Sequence, residues 1–142
     1  METNPKVTAL GGIFITCENP EEQNAWYAKH LGMKNHPYGA NFVWRKYDAP
    51  DQKAYSLLSF FKKDSDYLKP GKATYMINFR VQNIEGLVEK MKAEGVTVCD
   101  EIETYEYGKF VHILDPEGNK IELWEANDDV YGTMGSEDVL NY

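Results

Sequence analysis

The sequence contains few cysteines and an excess of negative charge. Its two cysteines, Cys17 and Cys99, are too few and too far apart for a disulfide framework, and each lies in an apolar, strand-like run. We therefore expect two buried, reduced thiols. The net charge is −8, from 15 basic and 23 acidic residues. This balance argues against nucleic acid as a partner, because a phosphate backbone requires clustered Lys and Arg.

The sequence also lacks long hydrophobic runs. No stretch approaches the roughly 20 apolar residues of a membrane span, and the start, METNPKVTALGG, has no basic segment followed by an apolar core. These features predict a cytoplasmic protein that does not enter a membrane. Hydrophobic residues make up 42% of the 142 residues and aromatic residues 13%, which is enough to fill the core of one compact domain.

The sequence contains a degenerate internal repeat. Residues 12–32 align with residues 76–96 at a constant offset of 64, and a strand-like run, an Asn and a helical pattern fall in the same places. Asn19 and Asn83 suit the N-cap positions of the two helices. Three extended segments follow each helix, so each half is predicted to be β-α-β-β-β. The predicted segments are 34–38, 41–47 and 54–61 in the first half, and 97–102, 108–114 and 120–125 in the second.

Residues 109–125, KFVHILDPEGNKIELWE, are typical of a β-hairpin. Pro116 has the fixed φ that suits a turn, and Gly118 can adopt a positive φ. Neighbouring side chains of a strand point to opposite faces, so Glu122 and Trp124 share one face of the second strand. A carboxylate and an indole are therefore expected to face the same space.

Two β-α-β-β-β modules that close with DPEGNKIELWE resemble the vicinal oxygen chelate superfamily of glyoxalases, bleomycin-resistance proteins, extradiol dioxygenases and epimerases. The resemblance covers about residues 7–125. It implies an α+β fold in which the two modules form one curved mixed sheet around a ligand cavity, and it implies a homodimer. The expected single domain comprises module one (7–61), a linker (62–73), module two (74–125) and an acidic tail (126–142).

In metal-dependent members of that superfamily, residues on the first strand of each module and on the last strand of the second module hold an ion. The resemblance places Gly12, Met76 and Glu122 at these positions, and of these only Glu122 offers a donor that hard divalent ions prefer. The further carboxylate that the first module supplies in glyoxalase I has no candidate, because residues 37–62 contain no Glu or His. A catalytic ion needs at least three protein ligands. We therefore expect no metal and no other cofactor.

The candidate site is the concave face of the sheet, with Glu122 as the candidate catalytic residue. Trp44 and Arg45 are neighbours on one strand, so only one of them can face the cavity. A buried salt bridge to Arg80 or Arg45 would explain Glu122 equally well, and a lone strand histidine such as His112 is more often structural. The candidate ligand-binding residues are Phe14, Thr16, Trp44, Arg45, Met76, Asn78, Arg80, His112 and Trp124.

The sequence favours a metal-independent protein, similar to the bleomycin-resistance branch, that binds a small aromatic or cationic molecule, with a homodimer as its expected assembly. The alternative is an enzyme, either a lyase or isomerase similar to glyoxalase I or another small-molecule enzyme that uses Glu122 as acid or base. A third possibility is an interaction module without a small ligand, which a filled cavity would favour. The tail contains apolar residues, and we expect it to pack along the domain or a partner subunit.

Overall fold

The computed structural model describes residues 3–142, which form one curved, open mixed sheet and three α-helices. A short 3₁₀ turn, Glu137–Val139, precedes the last strand. In chain order the elements are β1 (Lys6–Cys17), α1 (Pro20–Leu31), β2 (Asn35–His36), β3 (Gly39–Lys46), β4 (Ala49–Lys62), β5 (Tyr75–Gln82), α2 (Ile84–Ala93), β6 (Glu103–Tyr105), β7 (Gly108–Leu114), β8 (Lys120–Ala126), α3 (Asp128–Tyr131) and β9 (Leu140–Asn141).

The sheet confirms the predicted duplication. Its strand order is β2-β3-β4-β1-β5-β8-β7-β6, with β9 beside β3. The first strands of the two modules, β1 and β5, pair antiparallel at the centre, where Ile13 lies opposite Ile77. These two residues are 64 positions apart, the offset of the sequence repeat, so a pseudo-twofold axis passes between them. Each first strand also pairs in parallel with the last strand of its own module.

The helix caps are those expected from the sequence. The Asn19 side chain accepts a hydrogen bond from the Glu22 N–H at 3.2 Å, and α1 ends at Gly32 with a φ of 67°. The Asn83 side chain accepts from the Gly86 N–H at 3.1 Å at the start of α2. Each cap satisfies a backbone group that the helix itself leaves without a partner.

One predicted strand differs in the structure. Within residues 97–102 only Val98 forms a β-bridge, with Ile113, and β6 begins at Glu103. The side chain of Asp100 gives the physical reason, since its Oδ1 accepts the His112 N–H at 2.8 Å, so a carboxylate takes the place of a strand carbonyl. The backbone at this point is irregular because a side chain serves as the partner.

The two helices cover the sheet unequally. Apolar side chains of α2 pack against the sheet in a buried core whose members are Val81, Ile84, Val88, Met91, Val111 and Leu123. By contrast, no residue of α1 is buried, and Trp26 remains 52% exposed. The α1 contribution to the core is mainly the contact between the Tyr27 and Phe60 rings, whose centroids are 5.0 Å apart.

Side chains from the linker and the tail cover the concave face. Leu68 of the linker packs against Phe14 and Met76. In the tail, β9 pairs in parallel with β3, and the Tyr131 hydroxyl donates to Asn41 Oδ1 at 2.7 Å. The tail therefore packs along the domain, which is one of the two positions expected from the sequence.

Two other features follow from the chain as described. Within residues 3–142, none of the helices has the length and apolar character needed to cross a membrane. Cys17 and Cys99 are free thiols that are partly shielded from solvent. Burial raises the pKa of both thiols.

Gly12 provides a test of the close packing at the centre of the sheet. A methyl group at Gly12 would lie 2.4 Å from the Leu57 carbonyl oxygen. We expect Gly12→Ala to lower the free energy of unfolding in urea by about 1–3 kcal/mol, the usual cost of overpacking. Gly135→Ala is the matched control, since among residues 3–142 no atom lies within 4 Å of its added methyl group. Equal stability of both variants would contradict this packing.

Candidate functional site

Glu122 is the centre of a buried polar network on the concave face. It is 1% exposed. Its Oε1 accepts from Asn78 Nδ2 at 2.6 Å, and its Oε2 lies 2.7 Å from His112 Nε2 and accepts from the Tyr67 hydroxyl. Asn78 and His112 are opposite Glu122 on the neighbouring strands, so sheet register delivers both donors. The arrangement satisfies a carboxylate whose burial would otherwise be costly.

His112 links Glu122 to a second carboxylate. The His112 Nδ1 lies 2.7 Å from Asp100 Oδ2, so each ring nitrogen faces a carboxylate oxygen. Burial lowers the pKa of His112, but the hydrogen bonds and charges of Glu122 and Asp100 outweigh it and the pKa is raised. Only the protonated ring can donate from both nitrogens. The network therefore favours an imidazolium between two carboxylates.

Tyr67 of the linker covers the carboxylate of Glu122. Its ring stacks on Phe61, with centroids 5.5 Å apart, and meets the His112 ring edge-on at 5.4 Å. Burial and the adjacent charge of Glu122 raise the pKa of the Tyr67 hydroxyl well above its usual value. The phenol remains protonated and donates to Glu122. Lys120 Nζ donates to the Tyr67 carbonyl at 2.5 Å and holds the backbone of the linker.

A second buried cluster surrounds Arg80, which is 6% exposed. Its guanidinium pairs with both oxygens of Asp128 at 2.9 and 2.6 Å, and Nη1 also donates to the Tyr55 carbonyl at 3.0 Å. The guanidinium carbon lies 5.2 Å from the ring centroid of Trp44 and 5.3 Å from that of Trp124. Arg80 is thus held between two indoles and a carboxylate.

These contacts differ from the salt bridge to Arg80 or Arg45 that the sequence allows for Glu122. Its partner is neither Arg80 nor Arg45. Arg80 pairs with Asp128 of the tail, and Glu122 is paired with His112. Arg45 lies outside both clusters, since its side chain is exposed and donates to the Asp51 carbonyl at 3.4 Å.

The remaining candidate residues divide between the two clusters and their surroundings. Asn78 and His112 contact Glu122, whereas Trp44 and Trp124 contact Arg80. Phe14 and Met76 form an apolar cluster with Leu68, partly covered by Leu57 and Phe61. Thr16 lies further along β1, where its hydroxyl donates to the Thr74 carbonyl at 2.7 Å.

The sequence did not predict several residues of the two clusters, among them Lys46 at the end of β3. Tyr67, Asp100 and Asp128 all lie outside the strands, so alternation along a strand could not identify them. The one signal available was Tyr67, an isolated aromatic residue in the polar linker KKDSDYLKPGKA. Nothing in the local sequence relates Asp100 to His112 or Asp128 to Arg80.

The residues at the superfamily's metal positions do not fit a divalent ion. In the part of the chain from Thr3 to Tyr142, no group of three or more His, Cys, Asp or Glu side chains could hold one. Gly12 has no side chain, and Met76 offers a thioether. The oxygens of Glu122 already accept from three protein donors. Two candidate donors, Glu122 and His112, fall short of a three-ligand centre.

Comparison with known proteins identifies the family of the chain. A family model described as the glyoxalase/bleomycin resistance protein/dioxygenase superfamily matches residues 9–123. The chain belongs to this superfamily. An uncharacterized Bacillus subtilis protein, YetH, is 27% identical over 125 residues, which cover 84% of this chain and 99% of YetH.

Solved structures of the superfamily show the same fold. A variant of Streptomyces coelicolor methylmalonyl-CoA epimerase, solved in complex with 2-nitronate-propionyl-CoA, superposes with a TM-score of 0.60 at 17% identity. The match covers 86% of this chain and 99% of the epimerase. The Mycobacterium tuberculosis epimerase gives a TM-score of 0.56 at 18% identity, covering 94% and 97% of the two chains. At these identities the similarity is one of fold.

The environment of His112 predicts a pH dependence of stability. Its pKa is higher in the folded chain than the ordinary value of about 6.5. Its stabilising contribution is therefore fully present below about pH 6.5 and is lost as the pH rises through the folded pKa. We expect urea unfolding to show this loss in the wild type and in His30→Asn, which alters an exposed histidine, but not in His112→Asn.

NMR titration of the histidine rings in the wild type provides a second measurement of the same effect. The His112 signals should titrate with a midpoint above about 6.5. A midpoint at or below that value would contradict an imidazolium held between Asp100 and Glu122.

Proposed function

We propose that this protein binds a small aromatic or cationic molecule at Glu122 on the concave face, without a metal ion. The position of Tyr67 supports this proposal. The linker lays a phenol on the face, with its ring against Phe61 and His112 and its hydroxyl on Glu122. A ligand with a flat ring and a hydrogen-bond donor would make the same contacts.

Tyr67 and Leu68 fill the concave face at Glu122, as they would in an interaction module without a small ligand, so binding requires this part of the linker to move. Tyr67 is 39% exposed, whereas Glu122 is 1% exposed. A ligand must move Tyr67 to reach the carboxylate, and its own donor then replaces the phenol. The ligand must supply a donor of its own, because a buried carboxylate that loses a donor strongly destabilises the protein. The linker contacts module two through Tyr67, Leu68 and the bond from Lys120, and not through strand pairing.

The neighbouring groups define the chemistry of the ligand. The carboxylate of Glu122 favours an O–H, an N–H or a cationic group, and Phe14, Phe61 and Met76 provide apolar contact. The buried Asn78 Oδ1 has no hydrogen-bond partner in residues 3–142. It lies beside Gly11, where a methyl group would approach to 2.0 Å. A second donor on the ligand would satisfy this acceptor.

The protein is then a binder of the bleomycin-resistance type, acting in the cytoplasm as a homodimer. The epimerase complex with 2-nitronate-propionyl-CoA gives support by analogy, since its fold holds a small molecule. The acidity of the chain, with a net charge of −8, is compatible with a cationic ligand.

One observation favours a second candidate, an enzyme that uses Glu122 as acid or base. The chain of contacts from Asp100 through His112 to Glu122 places a protonated ring beside the carboxylate, so His112 can supply a proton to Glu122. A lyase or isomerase similar to glyoxalase I would use the carboxylate to take a proton from carbon. Turnover of a substrate that is lost in Glu122→Gln would decide for this candidate.

Thermal unfolding with p-cresol and benzylammonium tests the binding proposal. Each compound should raise the Tm of the wild type, because a ligand that binds only the folded state stabilises it. The increase should be larger in Tyr67→Ala, where the phenol no longer competes, and absent in Glu122→Gln. The control variant Glu117→Gln, in the exposed hairpin turn, should behave as the wild type.

Three controls define the outcome. Toluene, which lacks a donor, should give a smaller increase than p-cresol, and EDTA should leave the increase unchanged. Elemental analysis after addition of Ni, Zn, Fe and Mn should find no stoichiometric metal; metal that is bound by the wild type and lost in Glu122→Ala would overturn metal independence. No stabilisation of either the wild type or Tyr67→Ala would contradict binding and favour an interaction module.

A further inference from the structure

We infer that the cluster around Arg80 is a second ligand site, for a small carboxylate, and that Asp128 of the tail occupies it as an internal ligand. The Arg80 cluster is defined here as Trp44, Lys46, Arg80, Trp124 and Asp128. This inference does not depend on the function proposed for Glu122, since it rests on different side chains with the opposite charge.

The geometry of the cluster is that of carboxylate recognition. Arg80 presents two donors to the two oxygens of Asp128, at 2.9 and 2.6 Å, in the forked arrangement that suits a planar carboxylate. Trp44 and Trp124 flank the guanidinium at 5.2 and 5.3 Å and fix its plane. The arginine is thus oriented by side chains of β3 and β8, two elements of the sheet, as well as by Asp128 of the tail.

The charge balance makes an anion necessary at this point. Asp128 faces a second cation, Lys46 Nζ, at 3.2 Å. Without Asp128, Arg80 would keep the Tyr55 carbonyl as its hydrogen-bond partner among residues 3–142. The nearby carboxylate of Glu125 is already engaged by the Ile84 N–H at 2.9 Å and by Lys109 at 3.8 Å. A buried cation that loses its partner is strongly destabilising, so an external carboxylate would bind favourably.

Open space reaches the cluster from two sides. A cleft of about 980 Å³ is bordered by Trp44, Lys46, Arg80 and Asp128. A second cleft of about 770 Å³ is bordered by Lys46, Tyr55 and Asp128. Both volumes are in the range of small-molecule sites. A carboxylate attached to a small apolar body could therefore approach Arg80 while the sheet stays intact.

Asp128 is the first residue of α3, a helix of four residues with no buried member, and so short a helix has little stability of its own. The segment is held by contacts of the residues around it: the Tyr131 ring lies against Tyr55 and Trp124, its hydroxyl donates to Asn41, and β9 pairs with β3. A tethered carboxylate of this kind competes with a free one through its effective concentration.

Benzoate is the probe for this site, and benzamide, which lacks the charge, is its control. Trp26→Phe serves as the background for all proteins, so that tryptophan fluorescence reports on Trp44 and Trp124 only. We expect Asp128→Asn to bind benzoate at least about tenfold more tightly than the background protein. In the background protein the tail occupies the site in most molecules, and the apparent affinity falls in proportion to the fraction of molecules whose site is free. Asp129→Asn, which removes the same charge at an exposed position, should bind as the background does.

Two further variants complete the test. Benzoate should raise the Tm of Asp128→Asn and have no effect on Arg80→Gln/Asp128→Asn. Tyr131→Phe keeps Asp128 but loses the hydrogen bond to Asn41, so it should bind benzoate more tightly than the background protein. This variant also tests the inference if Asp128→Asn does not fold. The inference is overturned if no variant binds benzoate more tightly than the background protein, if benzamide binds equally well, or if binding persists without Arg80.

Discussion

The buried carboxylate of Glu122 is the constraint on which the architecture of the concave face depends. A carboxylate with 1% exposure requires donors, and they come from three separate parts of the chain. β5 supplies Asn78, β7 supplies His112, and the linker supplies Tyr67. The pairing of β5, β8 and β7 fixes the first two, whereas the third depends on how the linker lies. The hydrogen bonds of Glu122 thus connect module two to the linker.

A similar arrangement with the opposite charges surrounds Arg80, which lies two residues after Asn78 on β5. There the buried charge is a guanidinium, and the partner, Asp128, again comes from outside the two modules. The linker and the tail both place a polar group onto the concave face, the face that holds the ligand in the function proposed above. In this account the two segments occupy binding positions, and their contacts indicate which chemical groups those positions accept. On the opposite face, apolar side chains of the sheet pack under α2.

Much of the fold could be predicted from local sequence. The Asn caps and the alternation around Glu122 are encoded within a few residues of each position, and the structure confirms the caps. The repeat at an offset of 64 is also confirmed, since Ile13 lies opposite Ile77. The network around Glu122 was only half predicted. Asn78 and His112 follow from strand register, but Tyr67 lies 55 residues from its partner in a segment without periodicity. Asp100 was assigned to a strand because a side chain that replaces a backbone acceptor leaves no pattern in the sequence.

The central claim is that Tyr67 holds the position that a ligand takes on Glu122. A crystal structure of the wild-type protein with p-cresol measures this most directly. We expect the ring of the ligand to lie on Phe61 in place of the Tyr67 ring, with its hydroxyl about 2.7 Å from Glu122 Oε2. A complex in which Tyr67 keeps its hydrogen bond to Glu122 while the ligand lies elsewhere would contradict it.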